Sequence, residues 1–216
     1  MTVTVTVEVP DRRRRRREET IREILRIAIE IMAAEGVAAL SLSDVARRLG
    51  IQPPSLYKYF PSKLALYDAL FAEAAGQALA ELRVGAGAAE PGLPALRAGL
   101  ERFARFVCAN PVFAQLLYWR PVPGFTPSPE SFQPAEEFVA DVRAMLRTAA
   151  DRGQVHPDAA TEDGQALLSV LVGGALSQHT ANEPQADFDN GRFTRLLPRL
   201  LHMFVAAYPP HQEARS

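Results

Sequence analysis

The chain has 216 residues and a formal net charge of −1, from 24 Lys+Arg against 25 Asp+Glu, and taken whole that argues against a nucleic-acid partner, because domains that bind phosphate backbones are usually visibly basic. At 48% hydrophobic and 23% charged it is globular, neither disordered nor fibrous. Its longest nearly unbroken apolar stretch, Ala166 to Leu176, is eleven residues and includes Ser169 and two glycines, whereas a membrane span needs roughly 20.

No membrane partner is therefore expected. The N-terminus places alternating Thr and Val before its charges, the reverse of a secretory signal, so a cytoplasmic location is expected. Cys108 is the only cysteine, which excludes an intrachain disulfide and leaves no basis for a cysteine-built metal site.

Residues 12 to 17 are six consecutive arginines. Such a block reads as a solvated arm or a fraying helix start, with contact to DNA phosphates as the functional alternative. We assign residues 1–17 as a disordered basic arm. From Glu19 the period is helical: Ile21, Ile24, Leu25, Ala28, Ile31 and Met32 form one apolar stripe, and Gly36 ends it. Ser41 is placed to cap a second helix that carries Val45, Ala46 and Leu49 inward and stops at Gly50. Pro53 and Pro54 are tolerated in a first helical turn, so a third helix runs from about Pro53 to Tyr59. Pro61-Ser62 opens a fourth, with Leu64, Tyr67, Leu70, Phe71, Ala74, Ala78 and Leu82 in period. The segment 84–92, rich in Gly and Ala with Pro91, reads as the clearest linker. Further helices are expected at about 93–109, 111–119, 134–152, 158–181 and 190–207, about nine in all, and the class is all-α.

Two short helices joined by a tight glycine-containing turn, over residues 41–60, form a helix-turn-helix, in which the second helix can enter a major groove. Leu56 and Phe60 serve the core, which leaves Gln52, Ser55, Tyr57, Lys58 and Tyr59 on or near the exposed side; Tyr59 is read as packing. The pattern A-x-x-x-G-I-x-x-x-x-L-Y-x-Y-F-x-S-K, from Ala46 to Lys63, resembles the DNA-binding signature of the TetR (tetracycline-repressor-like) family of bacterial transcriptional regulators, and the resemblance extends from about Glu18 to Ala78. It implies that Tyr57 and Lys63 contact phosphates, Lys63 helped by the N-terminal end of the fourth helix, and that Ser41, Ser43, Gln52, Ser55 and Lys58 lie against DNA. Pro53 and Pro54 depart from the small or polar residues usual there, and present apolar rings that suit a thymine methyl.

We divide the remainder as a DNA-binding domain over 18–78 and a ligand-binding and dimerisation domain over 79–216, the latter by the usual arrangement of the family. Eight of the chain's seventeen aromatics fall within residues 103–138. Individually they read as core. As a group, Phe103, Phe106, Cys108, Phe113, Tyr118, Trp119, Phe125, Phe138, Met145 and His179 are candidates to line an apolar pocket. Gly173 and Gly174 inside a helix cost about 1 kcal/mol each against alanine, which close helix approach would offset; by resemblance Leu167, Leu171, Gly173, Gly174, Phe193, Leu197, Leu200 and Phe204 form a dimer face, with accommodation of a ligand as the other reading of the two glycines. Pro198 should kink or restart the last helix.

These features predict a homodimeric regulator, a repressor released from an inverted-repeat DNA operator by a small apolar effector of unidentified structure; the alternative is a helical dimer acting through ligand or protein contacts without DNA. No nucleophile-base pair or metal cluster is legible among the four histidines and one cysteine, so no enzymatic activity, cofactor or metal is expected. The net charge also divides: residues 1–63 hold 12 basic and 8 acidic side chains, residues 64–216 hold 12 and 17. Phosphate binding responds to the first of these local sums.

Overall fold

The computed structural model describes residues 12–119 and 121–210, and among them the chain is all-helical, with nine α-helices, three 3-10 turns and no strand. It divides into two compact units, with the boundary between Tyr67 and Asp68, where the sequence suggested 78/79. The reason lies in the side chains that follow Tyr67. The Asp68 carboxylate accepts hydrogen bonds from Ser128 and Ser131, and Phe71 packs on Phe125 and Phe132, all residues of the second unit.

In the first unit, α1 (Arg12–Glu35) buries Ile24, Leu25, Ile27, Ala28, Ile31 and Met32. It begins seven residues before the Glu19 start expected from its period, so that Arg12 to Arg17 are helix and not an irregular arm; the rest of the expected arm, residues 1–11, lies outside the described residues. Arginine is a good helix former, and the run is reinforced by the Arg14–Glu18 pair at 2.9 Å. A 3-10 turn (Val37–Ala39) leads to α2 (Leu42–Leu49). Ser41 has the extended backbone of a cap but makes no side-chain capping bond. Gly50 closes α2 in the left-handed conformation, φ 74°, which a side chain would strain. The next helix, α3, is short: Pro53–Leu56. Lys58 N and Tyr59 N donate to Ser55 O and Leu56 O, tightening the expected last turn into i→i+3 geometry.

The second unit holds most of α4 (Lys63–Gly87), then α5 (Leu93–Ala109), α6 (Pro111–Tyr118), α7 (Pro129–Asp151), α8 (Glu162–Asn182) and α9 (Leu197–Ala207). Its core gathers Leu82, Leu96, Ala104, Leu146, Ala149 and Leu176. The expected linker is largely helix, because α4 continues to Gly87. Gly85 is a crossing point: a Cβ there would stand 2.5 Å from the Ala98 carbonyl oxygen and 2.9 Å from Gly99 Cα, so only glycine lets α4 and α5 approach this closely. Helix α7 starts five residues earlier than expected, capped by the Ser128 hydroxyl on Ser131 N, and absorbs Pro134 internally. Pro198 restarts the chain, as one of its two readings had it: a 3-10 turn (Thr194–Leu196) ends and α9 begins.

Candidate nucleic-acid interface and ligand cavity

The helix-turn-helix is braced from behind. The buried Tyr67 hydroxyl donates to the Val37 carbonyl at 2.6 Å, and the Lys63 ammonium donates to the Ala38 carbonyl at 3.0 Å while lying 5.5 Å over the Tyr67 ring. Burial raises the Tyr67 phenol above its ordinary pKa, which keeps it a donor. These contacts fix the first turn of α4 against the 3-10 turn. On the other side, Arg17 donates to the Lys58 carbonyl at 3.3 Å and stacks over Tyr59 at 5.2 Å. Tyr59, read from sequence as a core residue, is half-buried under that guanidinium.

Leu56 and Phe60 are buried, and their burial turns the rest of the segment outward. Ser43, Gln52, Pro54, Tyr57 and Lys58 are exposed, and Ser41, Pro53, Ser55 and Lys63 are half-buried. Tyr57 is 52% exposed, a high value for a side chain with so large an apolar ring. The structure thus gathers the sequence-selected polar residues onto one small helical unit, with Lys63 partly occupied by a backbone carbonyl.

In the second unit, helices α4 to α8 line a partly open cavity of about 290 Å³. Of the pocket residues expected from sequence, Phe103, Tyr118 and Phe138 line it; Phe103 and Phe138 pack with ring centres 4.7 Å apart. The others do not. Phe106 and Phe113 pack on each other, Phe125 on Phe71, and Trp119 turns outward to donate from Nε1 to Ser177 Oγ at 2.9 Å. Met145 packs against the core, as does Cys108, whose thiol burial pushes up to about 11. His179 is buried elsewhere, under Gly191, with no hydrogen-bond partner for either ring nitrogen among the described residues. In their places stand Phe71, Leu117, Phe132, Leu168, Val172 and Gly173. The helical period of α4 marked Phe71 as buried, but nothing in one sequence distinguishes a cavity wall from ordinary core.

Among the described residues that line it, Tyr118 and Ser169 alone have polar side-chain atoms, and none is charged. The Ser169 hydroxyl already donates to the Gln165 carbonyl. Burial raises the Tyr118 phenol far above its usual pKa, so it meets the cavity as a neutral hydroxyl.

The expected dimer residues also separate. Leu197 and Phe204 are 5% and 1% exposed, buried in the core of their own unit, because the restart at Pro198 aims the i, i+4, i+7 row Leu197, Leu201, Phe204 inward. Gly173 belongs to the cavity wall, its site 3.4 Å from Tyr118 Cε1. Leu167 and Gly174 are exposed, and Leu171, Phe193 and Leu200 are half-buried. On α8, the 3-10 turn before α9 and α9 itself, Val170, Leu196 and Met203 are 69%, 41% and 53% exposed.

The sequence profile of the bacterial regulatory proteins of the tetR family matches residues 24–70. Over 47 residues the chain is 45% identical to the tetracycline repressor protein class A from transposon 1721 of Escherichia coli, which covers 22% of each chain; the matched stretch thus spans about a fifth of that relative's length. Solved structures extend the likeness as fold. The fatty acid degradation regulator FadR from Bacillus halodurans superposes with a TM-score of 0.70 at 14% identity, covering 85% of this chain and 97% of that one. The TetR family transcriptional regulator PfmR from Thermus thermophilus does so at 0.65 and 22% identity, covering 85% and 97%. Residues 24–70 thus carry the tetR-type DNA-binding profile, and the fold of solved TetR-family regulators extends over most of the chain.

Proposed function

We propose that the chain is a homodimeric, DNA-binding transcriptional regulator, a repressor that leaves an inverted-repeat operator when a small, uncharged, largely apolar molecule occupies the cavity of its second unit. The observation that carries this reading is the outward set Gln52, Tyr57 and Lys58 on a segment whose Leu56 and Phe60 are buried. An amide can read a base edge, and a phenol and an ammonium can bind phosphate. Lys63 joins them, because an ammonium has three donors and the Ala38 carbonyl takes one.

The apolar row Leu167, Val170, Leu171 and Gly174 on α8, exposed save for a half-buried Leu171, with Leu196, Met203 and the half-buried Leu200 around α9, supports pairing with a second copy. A two-fold dimer presents two recognition segments to successive major grooves. A cavity with no charged side chain among its described lining residues favours a neutral effector, since an ion would lose hydration there without a partner. Such a ligand lowers DNA affinity only by its differential binding to the two states.

The test is a gel shift on DNA upstream of the chain's own gene. Wild type should bind, and Tyr57→Ala should bind at least tenfold more weakly while melting at the same temperature, because the side chain is half exposed. Absence of binding to every genomic fragment at low salt would overturn the reading.

A further inference from the structure

Residues 12–67 contain 12 basic and 6 acidic side chains, and most of the basic ones are engaged within the unit. Arg14, Arg26, Arg47 and Arg48 pair with Glu18, Glu23 and Glu30, Asp44, and Glu35. Arg17 and Lys63 donate to backbone carbonyls, and Arg13 is also engaged. Among the described residues of this unit, the cations left without a side-chain partner are Lys58, beside the recognition helix, and Arg12, Arg15, Arg16 and Arg22, all on α1.

Those four arginines share a face. At about 100° per residue they fall within a sector of about 120°, centred about 170° from the buried stripe. Glu19 is the one acid among them; Glu23, just beyond, is held by Arg26. Arg12, Arg13, Arg15, Arg16 and Glu19 line one surface recess. Arg17, the next residue, reaches the Lys58 carbonyl, so the run begins one side chain away from the recognition segment and its six residues extend only about 8 Å along the helix axis.

We infer that the Arg12, Arg15 and Arg16 face of α1 is a second phosphate-binding surface, which extends the DNA contact of the recognition segment along the same duplex. Arg12 and Arg16 lie about 6 Å apart along the helix, while each strand of a duplex offers a phosphate about every 3.4 Å of its axis. Guanidinium forks bind phosphate oxygens in pairs. A lipid surface fits less well: α1 has no large exposed apolar side chain to enter a bilayer.

This inference rests on the DNA-binding reading, and its test separates the two. Affinity for a 30-bp duplex of arbitrary sequence is measured against salt for wild type, R12Q/R15Q/R16Q, and a charge-matched R97Q/R152Q/R195Q variant of the second unit. Glutamine keeps the helix propensity of arginine, and circular dichroism verifies the fold. Each lost phosphate contact should flatten the log–log slope by about 0.9, so the first variant should lose about 2 to 3 in slope and the second none. Equal flattening in both, or an unchanged slope in the first, overturns the inference and leaves the DNA reading standing. Loss of binding to phosphatidylglycerol vesicles by the first variant, with the duplex slope unchanged, overturns it in favour of a membrane. No duplex binding by wild type at low salt overturns both.

Discussion

Asp68→Ala should destabilise the second unit by about 3 kcal/mol, at roughly 1 kcal/mol net for each of three hydrogen bonds to a half-exposed ionised acceptor. The Asp68 carboxylate accepts from the Ser128 amide, the Ser128 hydroxyl and the Ser131 hydroxyl, each at 2.8 Å. Together they tie α4 to the proline-rich loop and to the cap of α7. In a protein of this size 1 kcal/mol moves the melting point by about 2–4 °C, which gives a fall of about 6–12 °C, read by circular dichroism at pH 7. Ser131→Ala removes one bond and should show about a third of that. The pH dependence follows from the carboxyl group. Burial pushes its pKa up, but the bonds from Ser128 and Ser131 outweigh burial and hold it below the ordinary carboxylate value. A depressed folded-state pKa adds stability that is fully present above the unfolded value of about 3.9 and is lost as pH falls through the folded one. The gap between wild type and Asp68→Ala should therefore be full at pH 7 and narrow below about pH 4. A variant melting within about 1 °C of wild type at pH 7, or a gap as wide at pH 3 as at pH 7, would refute the reasoning.

Two further substitutions test the packing and the cavity. Gly85→Ala and Gly76→Ala lie on the same helix and should have opposite signs. At Gly85 the new Cβ meets backbone on α5 at 2.5 Å, costing about 1–3 kcal/mol, whereas at Gly76 nothing lies within 4 Å and the helix gains up to about 1 kcal/mol; denaturant midpoints distinguish the two. Gly173→Leu places a side chain against Tyr118, in the cavity wall. It should weaken binding of a neutral apolar probe such as 1-aminoanthracene more than tenfold, as read by fluorescence, while the melting point stays near that of wild type.

The helix-turn-helix was legible because each of its signals is local. The apolar stripe of α1, the left-handed Gly50 and the prolines at the start of α3 act over one or two helical turns, and all three stand where the sequence puts them. What misread did so where a partner distant in sequence decides. Gly85 and Gly87 read as linker because glycine is punctuation in one dimension; Ala98, thirteen residues beyond Gly85, makes it a packing residue. Trp119 looked like a pocket residue until Ser177 took its N–H. Leu197 and Phe204 looked like a dimer seam, but the hand of a helix restarted by Pro198 turns them inward. The arginine run read as solvated by its charge, while Glu18 and the Lys58 carbonyl give Arg14 and Arg17 partners.

The proline pair at the head of α3 bears on both DNA-facing proposals. Many helices hold phosphate with the free amides of their first turn. Here Pro53 and Pro54 have no N–H to give, and the next amide, Ser55, already donates to Gln52 O at 2.8 Å. The recognition helix therefore cannot anchor a phosphate through its own N-terminus, and the anchoring falls to side chains. Near that helix the ones with donors to spare are Tyr57, Lys58 and Lys63, of which only the two lysines are cations, about four per dimer against the roughly six to ten phosphate contacts that make a binding strongly salt-dependent. The free arginines of α1 supply additional charges on the same unit, and on the DNA-binding reading proposed above the proline rings are left to meet thymine methyls. If both proposals hold, exchanging Pro53 and Pro54 for serine should shift sequence preference by altering groove contacts, while the α1 arginines should change affinity on every sequence alike.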